Sequence, residues 1–405
     1  MNKKILAAVS SAALVLGATS AQAGVIIPAG EWTVDINGNV NAYVIHSDND
    51  AVAAIPGAMA NAPGAGAEEK GMSINTGLLP SWLGVTATTR QNDLDVSWTI
   101  SFQPGASSNN AISAGGGSEN RQAFLTFGDK SWGSVKMGKD LGIFGSTAIL
   151  NDMTLLGVGS QGIVGTAGGT TTTLGGIGTG YVYADWKGQV AYTSPNMNGF
   201  SFTAGVVHPW HATTAGTAGT TSATSSGNKN YLGFEGQLSF AFESGKIWAG
   251  FASQDVDNLS GGGNDDEVTA FEAGANINFG NLGATVYAYS GEGLGTTGFA
   301  RDGFDTTGEA RDSDGGYAQV TYVIPSGTKL GVAYGVSNLD ATSADRTNSV
   351  SLAEENKRLT VGAYHPLTKH LNLVAEYSSV ESQSMLSTDS DNESDILSVG
   401  AILFF

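Results

Sequence analysis

The stretch Glu31–Ile45, EWTVDINGNVNAYVI, decides the fold. Its even positions read Trp32, Val34, Ile36, Gly38, Val40, Ala42 and Val44. Its odd positions read Thr33, Asp35, Asn37, Asn39 and Asn41 before Tyr43 and Ile45. A period of two places each set on its own face of an extended strand, whereas a helix would scatter both sets around its circumference. The alternation returns at Asp93–Gln103, where Leu94, Val96, Trp98, Ile100 and Phe102 share a face. Followed along the chain, it predicts strands at 31–45, 82–90, 93–103, 120–128, 132–138, 187–194, 199–207 and 231–242. Eight more are predicted at 246–254, 268–279, 282–290, 316–324, 329–337, 357–365, 371–380 and 396–405.

The connections alternate in length. Short turns fall at Gln91-Asn92, Asp129–Ser131, Pro195–Asn198, Glu243–Gly245, Gly280-Asn281, Pro325–Thr328 and Pro366–His370. Most carry Gly, Pro, Asn, Asp or Ser, the residues that turns favour. Long polar loops lie between them at 46–81, 104–119, 139–186, 208–230, 255–267, 291–315, 338–356 and 381–395. Short turns therefore collect at one end of the strands and long loops at the other.

Such strands fit a soluble sandwich, with apolar faces turned inward, or a transmembrane barrel, with those faces turned to lipid. Strands of nine to eleven residues suit a tilted bilayer crossing, and closing the sheet removes the unpaired edges that lipid forbids. The loop asymmetry matches short periplasmic turns and long extracellular loops. The expected fold is all-β: a transmembrane antiparallel barrel of about sixteen strands.

Composition agrees. The 405 residues include 58 glycines and no cysteine, which excludes disulfides, thiolate metal sites and a cysteine nucleophile. Eighteen basic against 37 acidic residues give a net charge of −19, which argues against a nucleic-acid partner. Residues 1–23 read as a signal peptide: Lys3 and Lys4, an apolar run from Ile5 to Gly17, then Ala21-Gln22-Ala23 as a small-x-small cleavage site. Export with cleavage after Ala23 is expected, leaving 24–405 as the barrel.

The last strand alternates Leu397, Val399, Ala401, Leu403 and Phe405 to the final residue. Other stretches stand out: Trp32–Tyr43; Arg121–Phe127 followed by Gly133–Lys139; and Val190–Pro195 followed by Gly199–Ala204. Together these resemble the general bacterial porins, the trimeric sixteen-stranded diffusion channels of Gram-negative outer membranes. The resemblance implies passive passage of small hydrophilic solutes and ions. It also implies a homotrimer, contact with outer-membrane lipid and lipopolysaccharide, and insertion by the barrel-assembly machinery, with Phe405 and Leu403 as the C-terminal signal. The third long loop, 139–186, would fold into the lumen and constrict it. No cofactor, metal or catalysed reaction is implied.

Alternation points Lys136 inward, between Val135 and Met137, and Arg358 inward against Leu359, Val361 and Ala363. The resemblance adds Lys139 to this basic wall, and Arg121 and Arg90 follow at strand ends. Asp140, Asp152 and Asp185 are the only acids between 139 and 186, with Asp152 expected at the constriction. The excess of acid suggests a lean toward cations. Other motifs carry less. Gly157–Gly162 fits G-x-G-x-x-G, but the Gly/Thr-rich sequence after it cannot supply the helix a dinucleotide needs. His208 and His211 have no third ligand, and Asp389–Asp395 alternates oxygen groups without a calcium loop's bend. A solute-selective channel, a surface receptor or adhesin, and an outer-membrane enzyme are the competing readings.

Overall fold

A computed structural model describes residues 24–106, 118–161, 172–210, 212, 231–259 and 264–405. The signal segment, Gly162 and His211 lie outside them. The strands are β1 (Val25–Ala29), β2 (Trp32–Asn49), β3 (Lys70–Asn75), β4 (Trp82–Gln91), β5 (Leu94–Pro104), β6 (Ser118–Asp129), β7 (Gly133–Leu141), β8 (Trp186–Thr193) and β9 (Phe200–Val207). They continue with β10 (Gly233–Phe242), β11 (Gly245–Leu259), β12 (Asn264–Phe279), β13 (Leu282–Glu292), β14 (Asp312–Val323), β15 (Lys329–Leu339), β16 (Ala353–Pro366), β17 (Leu371–Ser384) and β18 (Asn392–Phe404). Two short helices, α1 (Ser146–Asn151) and α2 (Ser343–Asn348), lie in long loops.

These eighteen segments build sixteen barrel strands. Along one side of β2, β3 pairs with residues 43–48 and β4 with residues 33–39, so β3 and β4 are one interrupted strand. Along the other side, β18 pairs with residues 39–49 and β1 with residues 32–36. The last strand is thus completed by the first residues of the described chain. All neighbours are antiparallel, and the ring closes through β2 and β18. Every one of the sixteen expected strands is present. β1 and β3 were not expected, and β11 and β12 run as a paired ladder well into the predicted loop 255–267.

The polarity of the wall is inside out. In β2, Val40 and Val44 are 62% and 48% exposed, while Asn39 and Asn41 are 1% and 3% exposed. In β18, Leu397, Val399 and Leu403 face outward and Ile396, Ser398 and Ile402 inward. A sandwich would bury the valines, so lipid is the solvent of the outer face. Two-residue turns such as Gly280-Asn281, with Gly280 at φ +58°, join the strands at the near end.

At the far end the described parts of the loops after β2, β13 and β15 pack against the wall and one another. Ile55 and Met59 donate backbone N–H bonds to Asn392 and Asn356 of the wall. Arg311 is fully buried and holds Asp345 of α2 through two bonds of 2.8 and 2.7 Å. The alternation at 392–395 sends Asn392 and Ser394 inward and Glu393 and Asp395 outward, so these oxygens do not converge on an ion.

Candidate functional site

Residues 142–161 and 172–185, the described parts of the loop between β7 and β8, leave the top of β7 and lie against the inner wall. Gly142 N–H bonds Asp185 C=O at 2.8 Å and closes the neck of this loop. Gly145, at φ +76°, turns the chain into α1, a left-handed conformation that glycine adopts without strain. Asp152 ends α1 in an extended conformation, and its side chain accepts the Thr154 N–H to start a 3-10 turn over Met153–Leu156.

Three wall glutamates seat the loop by one shared device. Glu235 of β10 accepts the N–H groups of Ile143 and Phe144 on one oxygen and the Lys187 ammonium on the other. Glu272 of β12 accepts Gly145 N–H and the Tyr287 hydroxyl on one oxygen, and Gln237 on the other. Glu376 of β17 accepts Val158 and Gly159 N–H on one oxygen and the Tyr364 hydroxyl on the other. At Glu235 and Glu376 two consecutive N–H groups aimed at one oxygen form a small anion-binding concavity. The approach is close: a Cβ on Gly157 would stand 2.0 Å from Glu376 Oε1.

Further bonds extend the seam. Tyr317 donates to Ala148 C=O at 2.8 Å and Tyr43 to Leu156 C=O at 2.6 Å. Gln319 both accepts from Met153 N–H and donates to Asn151 C=O. In the break between β3 and β4, Leu78 N–H bonds Gly157 C=O at 2.9 Å, and Asn41 satisfies that inward excursion from β2. The loop is therefore fastened to the wall from β10 around to β3–β4. Among the described residues of 142–185, Ser146, Leu150, Asn151, Leu156, Gln161, Thr172, Leu174, Tyr183 and Asp185 are partly exposed. Across from them, Thr86, Thr99, Thr126, Lys136 and Thr203 project inward, also partly exposed.

The expected site residues divide. Asp152 and Arg358 do meet, at 3.9 Å, but both side chains are 2% exposed. Arg358 also bonds Thr179 and Thr360, and Asp152 accepts from Tyr181 and Gly176. This corrects their placement on a water-lined constriction: the pair fastens the loop to β16. Lys136 does face inward, 24% exposed, ion-paired with Asp140 and lying over the Phe124 ring. Asp140 is buried and also accepts from Gln122, so it belongs to the wall and not to the loop's edge. Arg121 reaches the interior because it is the extra residue of a bulge between β5 and β6. There it pairs with Glu119 and meets Tyr183 and Trp186.

Two expectations are overturned. Lys139 stands on the outer face beside Met137, because it lies an odd three positions on from Lys136, and it donates to Asn120 C=O. Arg90 sits at the short-turn rim, half exposed, between Asp95 and Asp129. Asp185 holds the loop's neck at φ +55° and accepts Trp186 N–H at 2.7 Å. At the seam, Phe405 exchanges two backbone bonds with Gly38, and Leu403 faces outward.

Burial pushes the Asp185 carboxyl above its ordinary range, against the pull of Trp186 N–H, Lys187, Arg121 and Lys139. The folded state then holds the proton more tightly than the unfolded one. Stability therefore rises as pH falls through the window above the ordinary carboxylate range, and the ionised form is a burden at pH 7. Asp185→Asn keeps the acceptor and removes the charge. It is expected to raise the temperature of the barrel's heat-induced gel-mobility shift by a few degrees at pH 7, with the gain shrinking in acid. A lower temperature at pH 7 would contradict this.

Glu235, Glu272 and Glu376 were missed as site residues, although each lies mid-strand between outward neighbours, as Glu272 does between Phe271 and Ala273. A charge at an inward position of an apolar strand was the available signal.

The model of the Gram-negative porin family matches residues 9–384. The fold is similar to the outer membrane channel DcaP of Acinetobacter baumannii, at 15% identity over 93% of this chain and 99% of that one, with a TM-score of 0.71. It is also similar to an anion-selective porin from Comamonas acidovorans, at 15% identity over 93% and 100%, with a TM-score of 0.62. OmpT of Vibrio cholerae, an outer membrane protein solved in a trimer form, shares 16% identity over 92% and 99%, with a TM-score of 0.57. Among curated proteins no significant match is found.

Proposed function

The chain belongs to the Gram-negative porin family and is an outer-membrane diffusion channel, and from this premise we propose that residues 142–185 set its aperture. The supporting observation is the row of hydrogen bonds that seats this loop on the inward faces of β10, β12, β14 and β17. The solute path then runs between the loop's free edge, near Leu150, Asn151 and Leu156, and the threonine-rich wall of β4–β9. Small hydrophilic solutes and ions pass by diffusion, sieved by width and by the few charges in reach. No reaction is catalysed in this reading.

Lys136 is the basic group best placed to touch that path. Its partner Asp140 is buried behind it. Lys136→Glu leaves two acids there and is expected to shift the cation-to-anion permeability ratio about threefold toward cations. The reversal potential of the channel in a planar bilayer under a salt gradient reads this directly. An unchanged potential would remove Lys136 from the path. The acids expected on the loop edge are engaged elsewhere, Asp152 with Arg358 and Asp140 with Lys136, so the narrow zone carries little net charge.

The assembled form in this reading is a homotrimer in the outer membrane, in contact with lipopolysaccharide and inserted by the barrel-assembly machinery. The trimer form of the Vibrio cholerae protein supports the first point. Residues 1–23 direct export and are removed after Ala23. Reconstitution of the purified barrel should give stable conductance steps. Correctly folded protein without conductance would favour the receptor reading.

A further inference from the structure

Two lysines point into the barrel at its short-turn end, beneath the seat of the loop. Lys246 follows the turn at 243–244 and shares its face of β11 with the buried Trp248, while Ile247 between them is exposed on the outside. Lys329 follows the turn at 325–328 and stands opposite Tyr364 of β16, which is buried on the inner face. Both lysines are partly exposed. Lys246 Nζ lies 5.8 Å over the Trp248 ring, and Lys329 Nζ lies 5.0 Å over the Tyr364 ring.

The other inward cations are compensated. Lys136 pairs with Asp140, Lys187 with Glu235, Arg358 with Asp152 and Arg121 with Glu119. Lys246 and Lys329 have neither an ion pair nor a hydrogen bond among the described residues. An aromatic face holds an ammonium in place through its quadrupole and, unlike a carboxylate, leaves the full charge to act on its surroundings. The carboxylates whose fields reach the two lysines, Glu272 and Glu376, stand higher on the wall and are engaged by loop N–H groups. Between the lysines the inward positions nearest the turns are Asn276, Asn278, Gly283, Thr285, Thr321 and Val323, none of them acidic. Trp248 Nε1 is also buried without an acceptor among the described residues, so this corner of the wall is short of acceptors.

We propose that Lys246 and Lys329 form a holding site, on the wall beneath the loop, for small solutes that carry an oxyanion, a carboxylate or a phosphate. This rests on the channel reading above and adds a second station to the path. The charges of the narrow zone are paired off, whereas this wall presents two uncompensated cations to the water below it. The lysines stand on β11 and β15, a quarter of the ring apart, so each acts on a passing anion by itself. Two like charges on one wall draw anions to that side of the vestibule. The holding is reversible, as passage through a channel requires.

Block of the ion current in a planar bilayer tests this, with citrate or inorganic phosphate added to one chamber and then to the other. In about 0.1 M KCl, Lys246→Gln combined with Lys329→Gln should weaken the citrate block about fourfold and the phosphate block about twofold. The loss should appear from the short-turn side alone, and each single variant should fall between. A loss with both anions marks any oxyanion as the group held, and a loss with one alone names that group. In about 1 M KCl, where charges are screened, wild type and variant should conduct alike, which shows the barrel to be intact. Unchanged block by both anions in a conducting variant overturns the holding site. So does an equal loss from both chambers, which marks only the general field of the lumen. A wild-type barrel that never conducts overturns the channel reading instead. If the glutamine variants do not refold, Lys246→Met and Lys329→Met take their place, since methionine keeps an apolar stem over each ring. Lys246→Arg with Lys329→Arg should be blocked as the wild type is.

Discussion

Replacing Glu235 by alanine should destabilise the folded barrel by about 3–5 kcal/mol, because it leaves Lys187 as a buried charge without a counter-ion. Both side chains of this pair are 1% exposed, and the Lys187 ammonium lies 4.4 Å over the Phe299 ring. The same change strips the acceptor from Ile143 and Phe144 N–H. Urea unfolding in detergent, followed by gel mobility, measures the loss. Glu235→Gln keeps an acceptor and should fall between wild type and alanine. Lys187→Met combined with Glu235→Leu should recover the ionic part, since apolar replacement of a whole buried pair is often neutral. It should not recover the part owed to the two orphaned N–H groups. A loss below about 1 kcal/mol for Glu235→Ala would mean that water reaches Lys187.

Replacing residues 143–184 with a short Gly/Ser linker should raise single-channel conductance roughly two- to fourfold. Sixteen strands about 4.8 Å apart, tilted about 40°, close a ring about 30 Å across at the backbone. Wall side chains reduce the bore to about 20 Å, and a packed layer of chain is about 10 Å thick. A loop of that thickness seated on half the wall takes a large share of the cross-section, and conductance follows the open area. The shortened chain should also unfold more readily, because Glu272 and Glu376 lose the loop N–H groups that satisfy them. Larger steps would tie the loop to the aperture. Steps of unchanged size would place the narrowest point elsewhere, in the loops 50–69 or 293–311 that also fold inward.

Most of the wall was legible because alternation is a local property. It gave the sixteen strands and the inward direction of Lys136 and Arg358. It did not give depth: Arg358 and Asp152 meet where the loop seals both from water, and burial of that kind depends on residues distant in sequence. Lys139 shows the reverse failing. It was added by resemblance, although an odd spacing from Lys136 already assigned it to the other face. Arg121 needed a bulge that nothing in its own stretch announces. The seating glutamates could be read as inward, but their partners are backbone N–H groups, which carry no sequence signature. β1 (VIIPA) has no alternation and contains Pro28, and β3 alternates over only six residues inside a long loop.

The wall holds the loop between β7 and β8 mainly by its main chain. Glu235, Glu272 and Glu376 take N–H groups, and Tyr43, Tyr317 and Gln319 take carbonyls. A seat that recognises peptide groups is indifferent to most of the side chains carried past it. The partly exposed positions Ser146, Leu150, Asn151 and Leu156 are thus free to drift while the path of the chain stays put. One scaffold can then be retuned for different permeants by substitutions along a single edge, without rebuilding the barrel that presents it.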